Sequence, residues 1–498
     1  MANSGRESGY VLHPLVKSVH ADTETPVSVY LKLREAYSCL LESVEGEERL
    51  ARFSYIAIDP VALLRGFIDG ERILTVRDER FRGLEKLLEG EEDLRKVIDL
   101  CLDAFGSSQE NTCTVGSSPM ITSGAFGFFS YDTMHLVERI PSPSRPDPSG
   151  LPDVFLMFCD KLVVFDNIKH KVFIVANYLD ENDKKRAEEA IEAIRARMLE
   201  PLEGDQIRLC REKPEEVVSN TCKADYLDKV LVAKEHIKAG DIFQVQVSQR
   251  LRRKLNTRPF DVYRMLRTIN PSPYLYYFDM GEFHIVGSSP ELLVKVSCDQ
   301  NGRTIVDTRP IAGTRPRGKT FEEDALIEKD LLSDEKELAE HLMLIDLSRN
   351  DIGRIAKTGT VETNEMMIIE RYSHVMHIVS NVRGELQDAY SPTDAFWACF
   401  PAGTLTGAPK VRAMEIIYDL EEEKRGLYGG AVGFIDFRGQ LETAIAIRTM
   451  VIKDDVIYFQ AAGGIVADSV PLNEYEETMN KMRAGLRTVE ALEGLEEE

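Results

Sequence analysis

The sequence predicts an α+β fold built on antiparallel strands. Two observations carry this. Late in the chain, strand-like runs at 430–437, 443–452 and 456–461 follow one another with turn-length gaps. Gaps that short suit antiparallel pairing, because a parallel crossover needs a dozen or more residues. Helical periodicity, in contrast, is confined to a few stretches set among the strands, which argues against a doubly wound sheet.

Taken in order, the first part of the chain has strand-like runs at 52–58, 155–158, 162–165 and 171–176. The four prolines between 141 and 150 make that segment a loop. Residues 183–199 read as a helix, with Ala187, Ala190, Ile191 and Ile194 at helical spacing. Residues 201–221 are polar and irregular and read as a linker. Residues 226–239 are helical, and Gly240-Asp241 ends them. Residues 242–250 alternate as a strand, and 274–278 with 283–286 form a hairpin around Met280-Gly281. Residues 334–354 make an amphipathic helix with Leu338, Leu342 and Ile345 on its apolar face. Residues 472–492 make a second, with Pro471 in its first turn. The expected division is an N-terminal region at 1–215 and a larger domain at 222–490.

A chain of 498 residues is long enough for about two or three domains. A formal net charge of −23 argues against sequence-independent binding to nucleic acid or to an anionic membrane. The eight cysteines include no Cys-x-x-Cys pair, so reduced thiols in a cytoplasmic protein are expected. No apolar leader and no run of ~18 apolar residues is present, so neither export nor a membrane span is expected.

The densest chemistry lies at 308–318, TRPIAGTRPRG. Three arginines, two prolines and two glycines in eleven residues read as a stiff turn that sets cations and free amides beside an anion. Glu337 and Glu340 share one side of the helix at 334–354, and Glu474 and Glu477 share one side of the last helix. Oxygen ligands without histidine or cysteine suit Mg²⁺, which takes one or two carboxylates and completes its shell with water and substrate. Two solvated acidic faces are the bland alternative. Ala462-Gly463-Gly464 reads as a turn whose amides approach a carboxylate. Tyr428 and Arg448 add a phenol and a forked guanidinium, or else a core tyrosine and a surface arginine. Glu291, after a turn, serves as a general acid if burial raises its pKa. His377 lies in an apolar stretch, where a satisfied core histidine is the ordinary alternative.

Together these segments resemble the chorismate-utilising enzymes, and within them component I of the anthranilate synthases. The motifs are GDIFQVQVSQR at 240–250, NPSPY at 270–274, GSSPE at 287–291, PIAGTRPRG at 310–318 and EHLMLID at 340–346. RND at 349–351, SHVMH at 373–377, FPAGTLTGAPK at 400–410, GIVADS at 464–469 and ETMNK at 477–481 complete the set. The N-terminal match is thinner, LLES at 40–43 and RFSYI at 52–56. The resemblance implies the chorismate-binding fold: two facing antiparallel sheets flanked by helices, with the N-terminal region packed alongside as the regulatory part. It implies that Glu340 and Glu477 ligate Mg²⁺, with Glu337 and Glu474 acting directly or through water. It further implies that Gly313, Thr314, Tyr428, Arg448, Ala462, Gly463, Gly464 and Lys481 contact chorismate. Glu291 matches the acid at the C4 hydroxyl, and His377 the histidine of pyruvate elimination, with Thr314 beside the chemistry.

Two positions depart from the family pattern. Ala462-Gly463-Gly464 stands where many relatives have Gly-Ala-Gly, and Gln246 replaces the usual valine or asparagine. Two others select among activities. Ala312 stands where aminodeoxychorismate synthases often carry a nucleophilic lysine. Gln244 stands where isochorismate and salicylate synthases carry a lysine base, and an amide is no base. The resemblance therefore implies conversion of chorismate and ammonia to anthranilate and pyruvate. A glutamine amidotransferase subunit is expected to supply the ammonia, because the chain has no glutaminase-like cysteine motif. Ser43, Pro273, Tyr274 and Leu275 match the family's tryptophan feedback site, with plain packing as the alternative. Other readings are an aminodeoxychorismate synthase component I and a non-catalytic chorismate or tryptophan sensor.

Overall fold

The computed structural model describes residues 9–43, 52–107, 114–115, 118–140, 145–202, 206–210, 215–372 and 375–494. Residues 141–144 of the expected loop, Ser373 and His374, Cys113 and the acidic tail at 496–498 lie outside them. The fold is α+β. Among the described residues one large sheet has thirteen strands and the other eleven, with a separate two-stranded ribbon of Thr114–Val115 and Ser118–Pro119, and pairing is antiparallel apart from Tyr10–Val19 with Phe105–Ser107.

The two sheets face each other across one apolar layer. Tyr55, Val164, Phe278 and Ile285 come from the larger sheet, and Phe126, Phe155 and Val432 from the smaller. Helices Pro26–Leu33, Lys184–Leu199, Pro259–Ile269 and Pro471–Leu492 cover the outer face of the larger sheet. Helices Leu94–Asp103, Glu335–Gly353 and Pro392–Cys399 cover the smaller one, while Lys410–Leu420 packs with Lys223–Ala239 against the Gln244–Lys254 end of the larger. Fully buried Phe126, Phe155, Phe396 and Trp397 anchor these layers, each worth about 1.5–3 kcal/mol or more by area.

In each sheet the strands that precede residues 215–222 form one block and the later strands another, and the two blocks join at a single pair. Ser38–Glu42 pairs with Tyr274–Asp279, and Gly124–Phe129 pairs with Ala431–Asp436. The sheets therefore run across the boundary read from the sequence.

The helix expected at 334–354 is Glu335–Gly353. Asp334 caps it by accepting from the amides of Lys336 and Glu337, a bond worth about 1 kcal/mol. Its buried face is turned from the expected one. His341, Leu344 and Ile345 are buried, while Leu342 is exposed. The His341 Nε2 and Ser380 hydroxyl lie 2.7 Å apart, and this polar contact permits a histidine to occupy the core position.

One expected strand is two. The run at 443–452 divides into Leu441–Ile445, in the smaller sheet, and Thr449–Lys453, in the larger. The chain crosses between sheets at 446–448, and Arg448 adopts φ +53° there. A second crossing lies at Pro290-Glu291, between Phe283–Ser289 and Leu292–Cys298. The crossings are bonded together: Ile445 N donates to Glu291 O at 3.0 Å and Ser288 N to Arg448 O at 3.2 Å. The Ser289 hydroxyl adds a 2.7 Å bond to Ile445 O. Glu291 and Arg448 thus sit on two adjoining crossings where the sheets exchange strands.

Candidate functional site

The two crossings open on a cavity of about 680 Å³. Glu291, Gly313, Thr314, Glu337, Glu340, His377, Tyr428, Arg448, Ala462, Gly464, Glu474, Glu477 and Lys481 all line it. Residues separated by almost 200 positions in sequence are brought to one space. Gly463 is not in the lining: a Cβ there would meet the Tyr226 hydroxyl and Glu474 instead.

Glu291 is buried, and burial pushes its pKa from 4.5 up to about 8. A Thr404 hydroxyl donates to Oε1 at 2.9 Å without offsetting that cost. The carboxyl group is therefore protonated at pH 7 and can donate. Thr404 is a functional neighbour that the sequence reading missed, although its motif at 400–410 was in view.

His377 sits on strand Val375–Glu385, and its Nδ1 lies 3.0 Å from Gly313 O and 3.1 Å from the Thr314 hydroxyl. A carbonyl can only accept, so Nδ1 carries the hydrogen and Nε2 is left with a free lone pair. Burial holds the pKa below the ordinary 6.5, so the ring is neutral near pH 7. Gly313 takes φ +62° at a break in register between Ala312 and Thr314, a conformation that a side chain resists.

The segment at 308–318 is not a turn of free cations. Residues Ile311–Pro316 form an edge strand of the smaller sheet. Its arginines meet the protein's own carboxylates: Arg309 with Glu365 and Glu370, Arg315 with Asp330, Asp334 and Glu337, and Arg317 with Asp324. A buried cation open to an anion in the cavity is Arg448. Among the described residues it has no ion-pair partner, and burial lowers its pKa. A guanidinium in that state gains from an incoming carboxylate.

The expected turn at 462–464 is likewise the end of strand Val456–Ile465. At Gly464 two glutamine side chains pack close over the backbone: a Cβ would meet Gln246 Nε2 at 2.9 Å and Gln244 Nε2 at 3.1 Å, so those amide ends would have to shift to admit a side chain. Lys481 reaches across to Ala462 O at 2.9 Å and to Glu477 at 2.6 Å.

The acidic floor tests the magnesium expectation. Among the described residues no three acidic, histidine or cysteine side chains form a closed metal cage. The donor set nevertheless fits an ion that keeps water and substrate oxygens in its shell. Glu474 is buried, and its Oε2 has no hydrogen-bond partner in the protein. The pKa of Glu340 is raised by burial, with Glu337 and Glu477 adding repulsion against the Gln244 hydrogen bond at 2.7 Å. Carboxylates crowded this way are relieved by a cation.

A separate cavity of about 110 Å³ lies between strands of both sheets. Ser43, Tyr274 and Leu275 line it, together with Arg52, Phe53, Lys295, Phe434 and Glu442. Pro273 takes part through its carbonyl, which accepts from the Ser43 hydroxyl at 3.0 Å.

A neutral carboxylic acid, a neutral histidine and an unpaired arginine over an acidic floor define an enzyme cavity for an anionic small molecule. The family model for chorismate binding enzymes matches residues 69–487, and the chain belongs to that family. It is 45% identical over 491 residues to anthranilate synthase component 1 of Acetivibrio thermocellus, covering 97% of this chain and 96% of that protein. It is 46% identical over 490 residues to the protein of that name from Pseudomonas aeruginosa, with the same coverage. Anthranilate synthase component I from Streptococcus pneumoniae superposes with a TM-score of 0.75 at 36% identity, covering 94% of this chain and 99% of that one. The menaquinone-specific isochorismate synthase of Escherichia coli has the same fold, with a TM-score of 0.68 at 16% identity over 97% and 96%. No helix of the described residues is long and apolar enough to cross a membrane.

Proposed function

We propose that the chain is the chorismate-converting component of an anthranilate synthase, forming anthranilate and pyruvate from chorismate and ammonia. The observation that carries this is Glu291: an acid still protonated at pH 7 on the wall of the cavity that Arg448 also lines.

Arg448 and Lys481 offer charge to the carboxylates of chorismate, Tyr428 a phenol, and Gly464 backbone approach. Magnesium, held by Glu340 and Glu477 with Glu337 and Glu474 behind them, would neutralise charge at the ring carboxylate. Ammonia's lone pair forms the bond to C2 while Glu291 gives its proton to the departing C4 hydroxyl. Neutral His377, with Nε2 free, then serves the loss of the C2 proton and the expulsion of enolpyruvate as pyruvate. Ala312 lines the cavity and offers no competing nucleophile, and Gln244 is committed to Glu340.

Ammonia would come from glutamine through an amidotransferase subunit, as the name component 1 of the relatives suggests. The 110 Å³ cavity is the proposed tryptophan site, with Ser43 and Tyr274 on its wall. A cytoplasmic location is proposed with it, supported by the seven free cysteines among the described residues.

Genetic complementation tests the assignment. On ammonium-rich minimal medium the chain should restore growth to a strain that lacks anthranilate synthase. It should not rescue a strain that requires p-aminobenzoate. Rescue of only the second strain would move the chain to the folate branch.

A further inference from the structure

Beside Glu291 lies a second, much smaller cavity of about 30 Å³. Glu291, Leu344 and Thr404 belong to the walls of both cavities and so form the partition between them. A single face of helix Glu335–Gly353 runs along both. Glu337, Glu340 and Leu344 line the large space, and Leu344, Leu347, Ser348 and Asp351 line the small one. A void of this size has room for about two or three waters, since a water needs roughly 10–15 Å³ of such space.

The lining is suited to water. Thr308 is 5% exposed, and its hydroxyl has no hydrogen-bond partner in the protein. Buried hydroxyls without a partner are destabilising unless a water satisfies them. At the back, Asp351 is tied to Lys410 at 2.6 Å, and this pair fixes the far wall.

We propose that this cavity is a leaving-group pocket: it holds a water on Thr308 in the resting protein and receives the water released from C4 of chorismate. The proposal rests on the reading above, in which Glu291 delivers its proton at C4. In that step the C4–O electron pair leaves with the hydroxyl, and the Glu291 proton completes it as water. Ammonia's lone pair makes the C2–N bond, and both ring double bonds shift: the C1=C2 pair moves to C1=C6 and the C5=C6 pair to C4=C5. The ammonium formed at C2 then releases one proton, which balances the one that Glu291 must regain. The new water arises against Glu291 while the substrate ring fills the large cavity. The small cavity shares that partition, and the Thr308 hydroxyl offers the water a hydrogen bond.

Two substitutions and one crystal structure of the full chain test this. Thr308→Val keeps the volume and removes the hydroxyl; Ala402→Leu fills the cavity from its wall. The expected results are an ordered water within hydrogen-bond distance of Thr308 Oγ1 and a lower Tm for Thr308→Val. Both variants should lose about tenfold in kcat, with KM for chorismate unchanged. A dry cavity would overturn the proposal. So would a higher Tm for Thr308→Val, the result of deleting an unsatisfied hydroxyl from a dry site. If Ala402→Leu fails to fold, Thr308→Val and the crystal structure decide. A wild-type chain that makes no anthranilate sinks the underlying reading and the pocket's role with it. Wild-type turnover with both variants unimpaired sinks the pocket alone.

Discussion

Replacing Glu291 by glutamine should abolish turnover and stabilise the fold at neutral pH. Unfolded, the carboxyl group titrates near 4.5; folded, burial raises it to about 8. Between those values the folded chain keeps a proton that the unfolded chain has lost. Stability therefore falls as pH rises through this window. The full difference corresponds to roughly 5 kcal/mol, of which roughly 3 kcal/mol has accrued by pH 7. Glutamine does not titrate and can still accept from Thr404. The variant should match wild type near pH 4.5, gain steadily, and stand roughly 4–9 °C higher in Tm by pH 8, since a chain this long shifts by roughly 1–2 °C per kcal/mol. Thermal unfolding of both proteins from pH 4.5 to 9 measures this, and a parallel assay should show kcat lower by about 10²–10⁴. A Tm difference that does not change with pH, or full turnover in the variant, would refute the buried-acid reasoning.

The pH–rate profile at fixed free ammonia should be a bell. Its alkaline limb falls near 8 as Glu291 loses its proton, and its acid limb lies below 6.5 as His377 gains one; a flat alkaline side would contradict the role of Glu291. His377→Ala should accumulate an aminated, enolpyruvyl-bearing intermediate without pyruvate, which product chromatography would detect. Chelation should abolish activity, and added Mg²⁺ should raise Tm of wild type but not of Glu340→Gln. Ser43→Leu, which crowds the small inter-sheet cavity, should leave turnover unchanged and weaken any inhibition by tryptophan. Arg253→Ala strands a buried Glu493 that now accepts two bonds at 2.6 and 2.7 Å, and should lose about 3–5 kcal/mol in stability.

What the sequence made legible was local. Pro471 in a first turn and Gly240 past a helix end each act within a few residues, and those helices begin and end where the signals lie. The carboxylate pairs followed from helical spacing once those ends were known. What stayed hidden depends on distant partners. Nothing near 446–448 announces that the chain changes sheets, because the crossing is fixed by bonds to Glu291 and Ser288. The arginines at 309, 315 and 317 look available in sequence, yet their carboxylate partners come from other elements. His341 reads as polar and Leu342 as apolar, but Ser380 on a facing strand lets the histidine go inside. Ala462-Gly463-Gly464 has turn composition, yet it ends a strand with two glutamine side chains packed over Gly464, partners that lie far away in sequence. Strands from each side of 215–222 pair with the other, a feature without a local signal.

The most direct test is product analysis of the purified chain with chorismate, Mg²⁺ and an ammonium salt. Anthranilate and pyruvate in equal amounts, both abolished by chelator, is the predicted result. Aminodeoxychorismate without pyruvate, or chorismate recovered unchanged, would contradict the assignment of Glu291 and His377 to successive halves of one reaction.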